Sequence, residues 1–338
     1  MVTVQSFPLF RLPTLAYENV IDILHLKEKF DLSVTSKKVT LIFKRYNQIR
    51  KHKLMIFPWC DCYSARIYVY IDRGDNSNIK DSNSWVYNLG DDNNVIVDPM
   101  ITQVTHIANI APTASLRLKF ADTHPDVHTT FIPLAERLSL TLNSVEMCFI
   151  GAEPDDDMFR YVFENCRHAQ TLMYHRNTTN GFTMDPDSMG SYSFDFLDIS
   201  YGPWITTNHL KKCFNNCKYV ELSNTKLSSQ ELNAFLTQWI QGSKIQELWL
   251  GENEHLFEMA YVLVGITSVS HPYVHDKTFS HVATPGYVIK NIEGLEAVIH
   301  LTEGYFFLTT NFTIVDENYS LEVSFNDEEE EEDYDGED

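Results

Sequence analysis

The hydrophobic period of this chain changes from helical to strand-like near residue 54. Before that point apolar residues recur at near-helical spacing. Leu15, Val20, Ile21, Ile23 and Leu24 form one group, with Thr14 placed to cap it after Pro13. Phe30, Leu32 and Val34 form a second group. Val39, Ile42, Phe43 and Tyr46 form a third, behind Thr35 or Ser36 as cap. The spacing predicts three short helices. Their polar side is basic, with Lys27, Lys29, Lys37, Lys38, Lys44 and Arg45. Helices within about 40 residues bury little surface alone, so this unit needs a partner surface or the following domain.

The strand-like text begins with Ile67, Val69 and Ile71 on one face of an alternating run, followed by a turn cluster over 72–78. Val95 to Val97 reads as another short strand before Pro99. Short apolar strands then recur at 115–120, 144–149, 170–174, 196–200, 219–223 and 246–250. Aligning Leu118, Val145, Leu172, Leu197, Val220 and Leu248 gives steps of 27, 27, 25, 23 and 28 residues. Helical segments fall between several of them, at 155–166, 206–215 and 228–241, whereas 177–193 reads as a loop. The helix at 228–241 is the clearest. Ser228 and Glu231 make a capping box, Leu232, Phe235, Leu236, Trp239 and Ile240 a helical stripe, and Gly242 the stop. Further on, 286–294 and 297–301 read as a hairpin, and 305–309 and 313–315 as strands.

The predicted class is therefore α/β: a small N-terminal three-helix unit, then an irregular leucine-rich-repeat-like α/β domain ending in β-strands. A general α/β fold with a mostly parallel sheet is the second reading.

Composition narrows the function. The chain has 338 residues, 43% hydrophobic, with a formal charge of −21. That balance argues against nucleic acid as the primary ligand, because phosphate binding needs a basic surface. Residues 327–338 hold ten carboxylates and no Lys or Arg, which predicts a solvated, disordered acidic tail; the rest carries −11. No stretch approaches the ~20 apolar residues of a membrane span. Six cysteines without a dense framework, and an opening without a signal pattern, lead us to expect a reduced cytoplasmic or nuclear setting. The sequons at Asn177, Asn311 and Asn318 then read as chance matches.

Motifs for chemistry are sparse. His209, Cys213 and Cys217 step by four, and Cys60 and Cys62 lie elsewhere, but neither set is joined by the second pair that a zinc site wants. His271, His275 and His281 lack a HExxH pattern. Asp155, Asp156 and Asp157 suit a helix start better than an oxygen cage. No Walker A loop, GxGxxG, GxSxG or kinase set occurs. We expect no metal, no cofactor and no catalysis; an enzyme with an unrecognised site is the contrasting possibility.

Residues 7–44 resemble an F-box. The resemblance rests on the FPLFRLP opening, Leu12-Pro13, Ile23-Leu24, Phe30-x-Leu32 and Thr35-Ser36-Lys37, and is closest to the branch expanded in nematodes. Val39 and Thr40 stand where many F-boxes have a Trp, which that branch commonly lacks. The later segment, loosely 140–315, resembles the type-2 F-box-associated domain. The resemblance implies an F-box over 1–50, an F-box-associated recognition domain over 54–326 and the acidic tail over 327–338. It implies docking on a Skp-type adaptor of a cullin-based ubiquitin ligase through Leu9, Leu12, Pro13, Leu15, Val20, Ile23, Leu24 and Leu32, some of which must hold the helices together. The other domain would recruit a protein target.

For that target, Glu146, Asp198, Glu221 and Glu247 sit beside their strand anchors and could form a column of carboxylates. The plainer reading is that polar residues alternate with buried ones on solvated strands. An interaction scaffold without a ligase link is the alternative function.

Overall fold

The computed structural model describes residues 13–50, 54–60, 64–71, 83–88, 97–120, 126–148, 153–252, 257–277, 284–302 and 304–315. Leu9, Leu12 and the acidic tail lie outside them.

Three helices come first: α1 (Thr14–Ile23), α2 (Leu26–Ser33) and α3 (Lys37–Arg50). Pro13, not Thr14, occupies the position before α1, since proline's fixed φ and missing N–H suit a helix entrance and leave Thr14 already helical. Ile21, Val39, Phe43 and Tyr46 form a small core of their own, closed at one side by a Tyr46 hydroxyl to Asp22 carboxylate hydrogen bond.

The rest is mixed α/β. Its strands and helices are β1 (Leu54–Cys60), β2 (Ser64–Ile71), β3 (Asn83–Asn88), α4 (Val97–Ile110), β4 (Ser115–Phe120), α5 (Asp126–Arg137), β5 (Thr141–Cys148), α6 (Asp156–Asn165), β6 (Thr171–His175) and α7 (Pro186–Met189). They continue with β7 (Phe196–Ile199), a π-helical turn (His209–Cys213), β8 (Tyr219–Ser223), α8 (Ser229–Gln241), β9 (Glu247–Gly251) and α9 (Met259–Val262). Strands β10 (Ser268–Asp276), β11 (Thr284–Lys290), β12 (Glu296–Thr302), β13 (Tyr305–Thr309) and β14 (Phe312–Ile314) complete the described chain.

Two expectations change here. Val97 opens helix α4 instead of closing a strand: Pro99 falls in the first turn, where a missing N–H costs nothing, and Met100, Val104 and Ile107 then make a buried helical stripe. The stretch 177–193 contains the short helix α7, started by the Asp185 side chain accepting from the Asp187 N–H.

All the described strands join one 14-stranded sheet in the order β14-β10-β11-β12-β13-β9-β8-β7-β6-β5-β4-β1-β2-β3. From β1 through β4 to β9 neighbours run parallel; both flanks are antiparallel. Leu118, Val145, Leu172, Leu197, Val220 and Leu248 stand directly beside one another in the ladder. With Leu250, Phe306 and Leu308 they belong to a core shared with Phe131, Phe159, Phe163, Leu232, Phe235 and Trp239 of the helices. Strand side chains alternate, so the residues between these anchors form the second face, and none of them belongs to that core.

The first three helices are fastened to this body. Phe30 joins the large core, Ser33 Oγ lies 2.6 Å from His106 Nε2, and the Asn47 amide donates to the Ile110 carbonyl at 3.0 Å.

Candidate functional site

Two surfaces are candidates for a site. On the helical unit, Ile23 is 80% exposed, with Val34 and Leu41 also exposed. Pro13 is exposed, while Val20, Leu24 and Leu32 are half-buried and Leu32 packs on the small core. Leu15 falls within α1. Of the residues named for adaptor docking, then, Ile23 and Pro13 face solvent and Leu32 supports the helices. Exposed apolar residues on a short helical unit are the raw material of an interface.

The second surface is the coreless face of the sheet. Glu146, Asp198, Glu221 and Glu247 all lie on it, but not in one row. Asp198 pairs with Glu221, and Glu221 pairs with Trp249; Glu247 pairs with Tyr219 one row away. The reason is in the sequence: the first three follow their anchors, whereas Glu247 precedes Leu248. The expected single column is thus offset at its end. Met173 also interrupts it, between Glu146 and Asp198.

The carboxylates differ in their company. Glu146 accepts from Arg117 at 2.9 and 2.5 Å and from the Ser144 hydroxyl at 3.0 Å, with Lys119 at 3.6 Å. Asp198 lies 2.5 Å from His175 Nε2. Glu221 has neither a hydrogen bond nor an ion pair among the described residues. Its carboxyl is held above the usual range by burial and then by the neighbouring Asp198 charge, against a smaller pull from His175.

Sequence reasoning on the acids missed the aromatics between them. Phe196 and Tyr219 share a row with Glu247, and Trp249 shares the next with Asp198 and Glu221. The result is two rows, one of two rings and an acid, the next of two acids and a ring. The signal was present: Phe196-Leu-Asp198 and Tyr219-Val-Glu221 read aromatic-x-acid, and Glu247-Leu-Trp249 reverses the order. Phe196, Tyr219, Val220, Glu221, Glu247, Trp249 and Asn311 line a cleft of about 380 Å³. Beyond it Trp249 meets Tyr305 and Phe307, at ring distances of 5.7 and 6.1 Å. Gly251 makes room for the indole, because a β-carbon there would sit 2.0 Å from the ring.

Two of the motifs weighed for metal or thiol chemistry are occupied otherwise, while Cys62 and His281 lie outside the described residues. His209, Cys213 and Cys217 are buried. His209 Nδ1 accepts from the Thr206 N–H at 3.0 Å, which places its proton on Nε2, 3.0 Å from the Met184 carbonyl. Burial pushes the Cys213 thiol up to about 11 and Cys217 to about 12, away from thiolate reactivity. Asp155 caps α6 by accepting from the Met158 N–H, and Asp156 accepts from the Thr179 N–H and hydroxyl. Among the described residues no three His, Cys, Asp or Glu side chains are grouped to hold a metal ion, and no helix is long and apolar enough to cross a membrane.

Comparison with known proteins adds two findings. The Skn-1 dependent zygotic transcript 15 protein of Caenorhabditis elegans is 26% identical over 113 residues, which are 33% of this chain and 32% of the relative. The chain thus matches about a third of that relative's length. Residues 185–248 match the family model described as F-box associated. That stretch runs from α7 through α8 into β9 and includes five of the cleft residues, so the part of the chain that builds most of the cleft is also the part similar to the F-box associated family.

Proposed function

We propose that this chain is a non-catalytic substrate receptor of a cullin-based ubiquitin ligase, working in the cytoplasm or nucleus. The helical unit over 1–50 serves as an F-box that binds the Skp-type adaptor. The α/β domain over 54–326 is a leucine-rich-repeat-like receptor that holds a protein target on its coreless sheet face. Function comes from proximity: the target is kept near the ubiquitin-loaded enzyme at high effective concentration, with no chemistry supplied by this chain.

The match of residues 185–248 to the F-box associated family carries this reading. Supporting it are the apolar side chains exposed at Ile23, Val34 and Leu41. The parallel strands with one face left outside the core also support it, because ordinary parallel sheets are covered on both faces whereas solenoid repeats use the open one for binding.

Co-purification with a Skp-type adaptor tests it. We expect the full chain to capture the adaptor and the Leu12→Asp/Pro13→Ala double variant to lose it with unchanged circular dichroism. Capture by the folded double variant would refute the docking residues. No capture by the parent chain would leave an interaction scaffold without a ligase link as the function.

A further inference from the structure

We propose that the ring-and-carboxylate cleft between β7, β8 and β9 is a pocket for a positively charged side chain, arginine or lysine, presented by the target protein. This deepens the receptor reading, on which the identity of the ligand as a ligase target rests.

The argument starts from register. Parallel pairing puts Tyr219 between Phe196 and Glu247, and Glu221 between Asp198 and Trp249. Tyr219 and Trp249 are therefore diagonal neighbours, as are Glu221 and Glu247. Three aromatic residues, Phe196, Tyr219 and Trp249, and two carboxylates line one space together with Asn311. Gly251 lets the indole lie along the strand toward Tyr305. An aromatic wall attracts a cation through its ring quadrupole, and a carboxylate beside it adds charge and hydrogen-bond acceptors. A neutral apolar ligand would gain from the rings but would strand the Glu221 carboxylate without water.

The neighbouring acids on this face show the same preference already satisfied. Glu146 has Arg117 and Lys119 of adjacent β4, and Asp198 has His175 of adjacent β6. Glu221 is half-buried with no such partner among the described residues, and no Lys or Arg lines the cleft. A cation from outside completes the pattern. The net charge of −21 favours the approach of a basic partner.

Nuclear magnetic resonance of the full chain tests this at Trp249, whose indole N–H signal is the one lost in Trp249→Phe. The probes are the N-acetyl methylamides of arginine, lysine and norleucine. We expect saturable shifts with arginine or lysine and none with the neutral norleucine probe. Glu221→Gln, which keeps the shape, should weaken the charged probe by about fivefold. The tighter of the two cations identifies the side chain recognised. Equal shifts with norleucine, no shift with either cation, or unchanged binding by Glu221→Gln would each overturn the pocket. None of these outcomes touches adaptor capture, so the pocket and the receptor reading fail separately.

Discussion

At the scale of single residues, burial sets the protonation behaviour that experiment can read. His209 lies between Thr206 and Met184 as a neutral ring, and desolvation keeps its pKa below the ordinary 6.5. His106 and His300 are lowered for the same reason. An unfolded chain takes up protons at these rings near 6.5 while the folded chain does not. Their stabilising contribution is therefore complete above that pH and is lost as pH falls below it. Glu221 acts with the opposite sign, since a carboxyl raised in the folded state is protonated there first. Thermal melts should show His209→Gln less stable than the parent at neutral pH but with a shallower decline between about pH 7 and 5.5. Parallel declines in the two proteins would remove His209 from the account. The position of His209 in a four-residue step with two cysteines was visible in the sequence. Its role was not, because Met184, 25 residues earlier and ahead of α7, reaches it only in the folded chain.

At the scale of elements, local rules were most dependable where a segment carried its own start, stripe and stop. Helix α8 shows this. The Glu231 N–H reaches the Ser228 hydroxyl at 3.3 Å, and the Ser228 N–H reaches the Glu231 carboxylate at 2.9 Å. Leu232, Phe235, Leu236 and Trp239 are buried, and Gly242 ends the helix at φ +130. The Trp239 indole then donates to the Ile245 carbonyl at 2.9 Å, tying the helix to the approach of β9. Replacing Ser228 with Ala should cost about 1 kcal/mol, measured by denaturant unfolding. A loss near zero would mean that water replaces the cap. Local rules misled at Val97, where three apolar letters resemble a strand and only the stripe of Met100, Val104 and Ile107 beyond Pro99 reveals a helix. They were also incomplete at 206–215, where the helical text becomes a π-helical turn that buries His209, Leu210 and Cys213 together.

At the scale of the whole molecule, one sheet joins segments that the sequence divides. Strand β13 pairs antiparallel with β9, setting Leu308 beside Leu248 and Phe306 beside Leu250. The later strands thus extend the same core rather than start a new one. Interior strands β7 and β8 have ladders on both sides and aromatic helices over them, whereas β14, among the described strands, pairs with β10 alone and leaves Ile314 half exposed. Hydrogen exchange should therefore be slowest in β7 and β8 and fastest in β14. Comparable rates would contradict a single graded sheet. The sequence by itself determined the alternation that sends Leu197, Val220 and Leu248 inward and their acidic or aromatic neighbours outward, because side-chain direction in a strand has a period of two set by the backbone. It also determined the helical stripes, whose period is equally local. Only the tertiary structure decided which strand lies beside which and in what register. That is why rings and acids from three distant segments meet in one cleft: pairing partners are chosen by the burial of the whole core, which no short window of sequence contains.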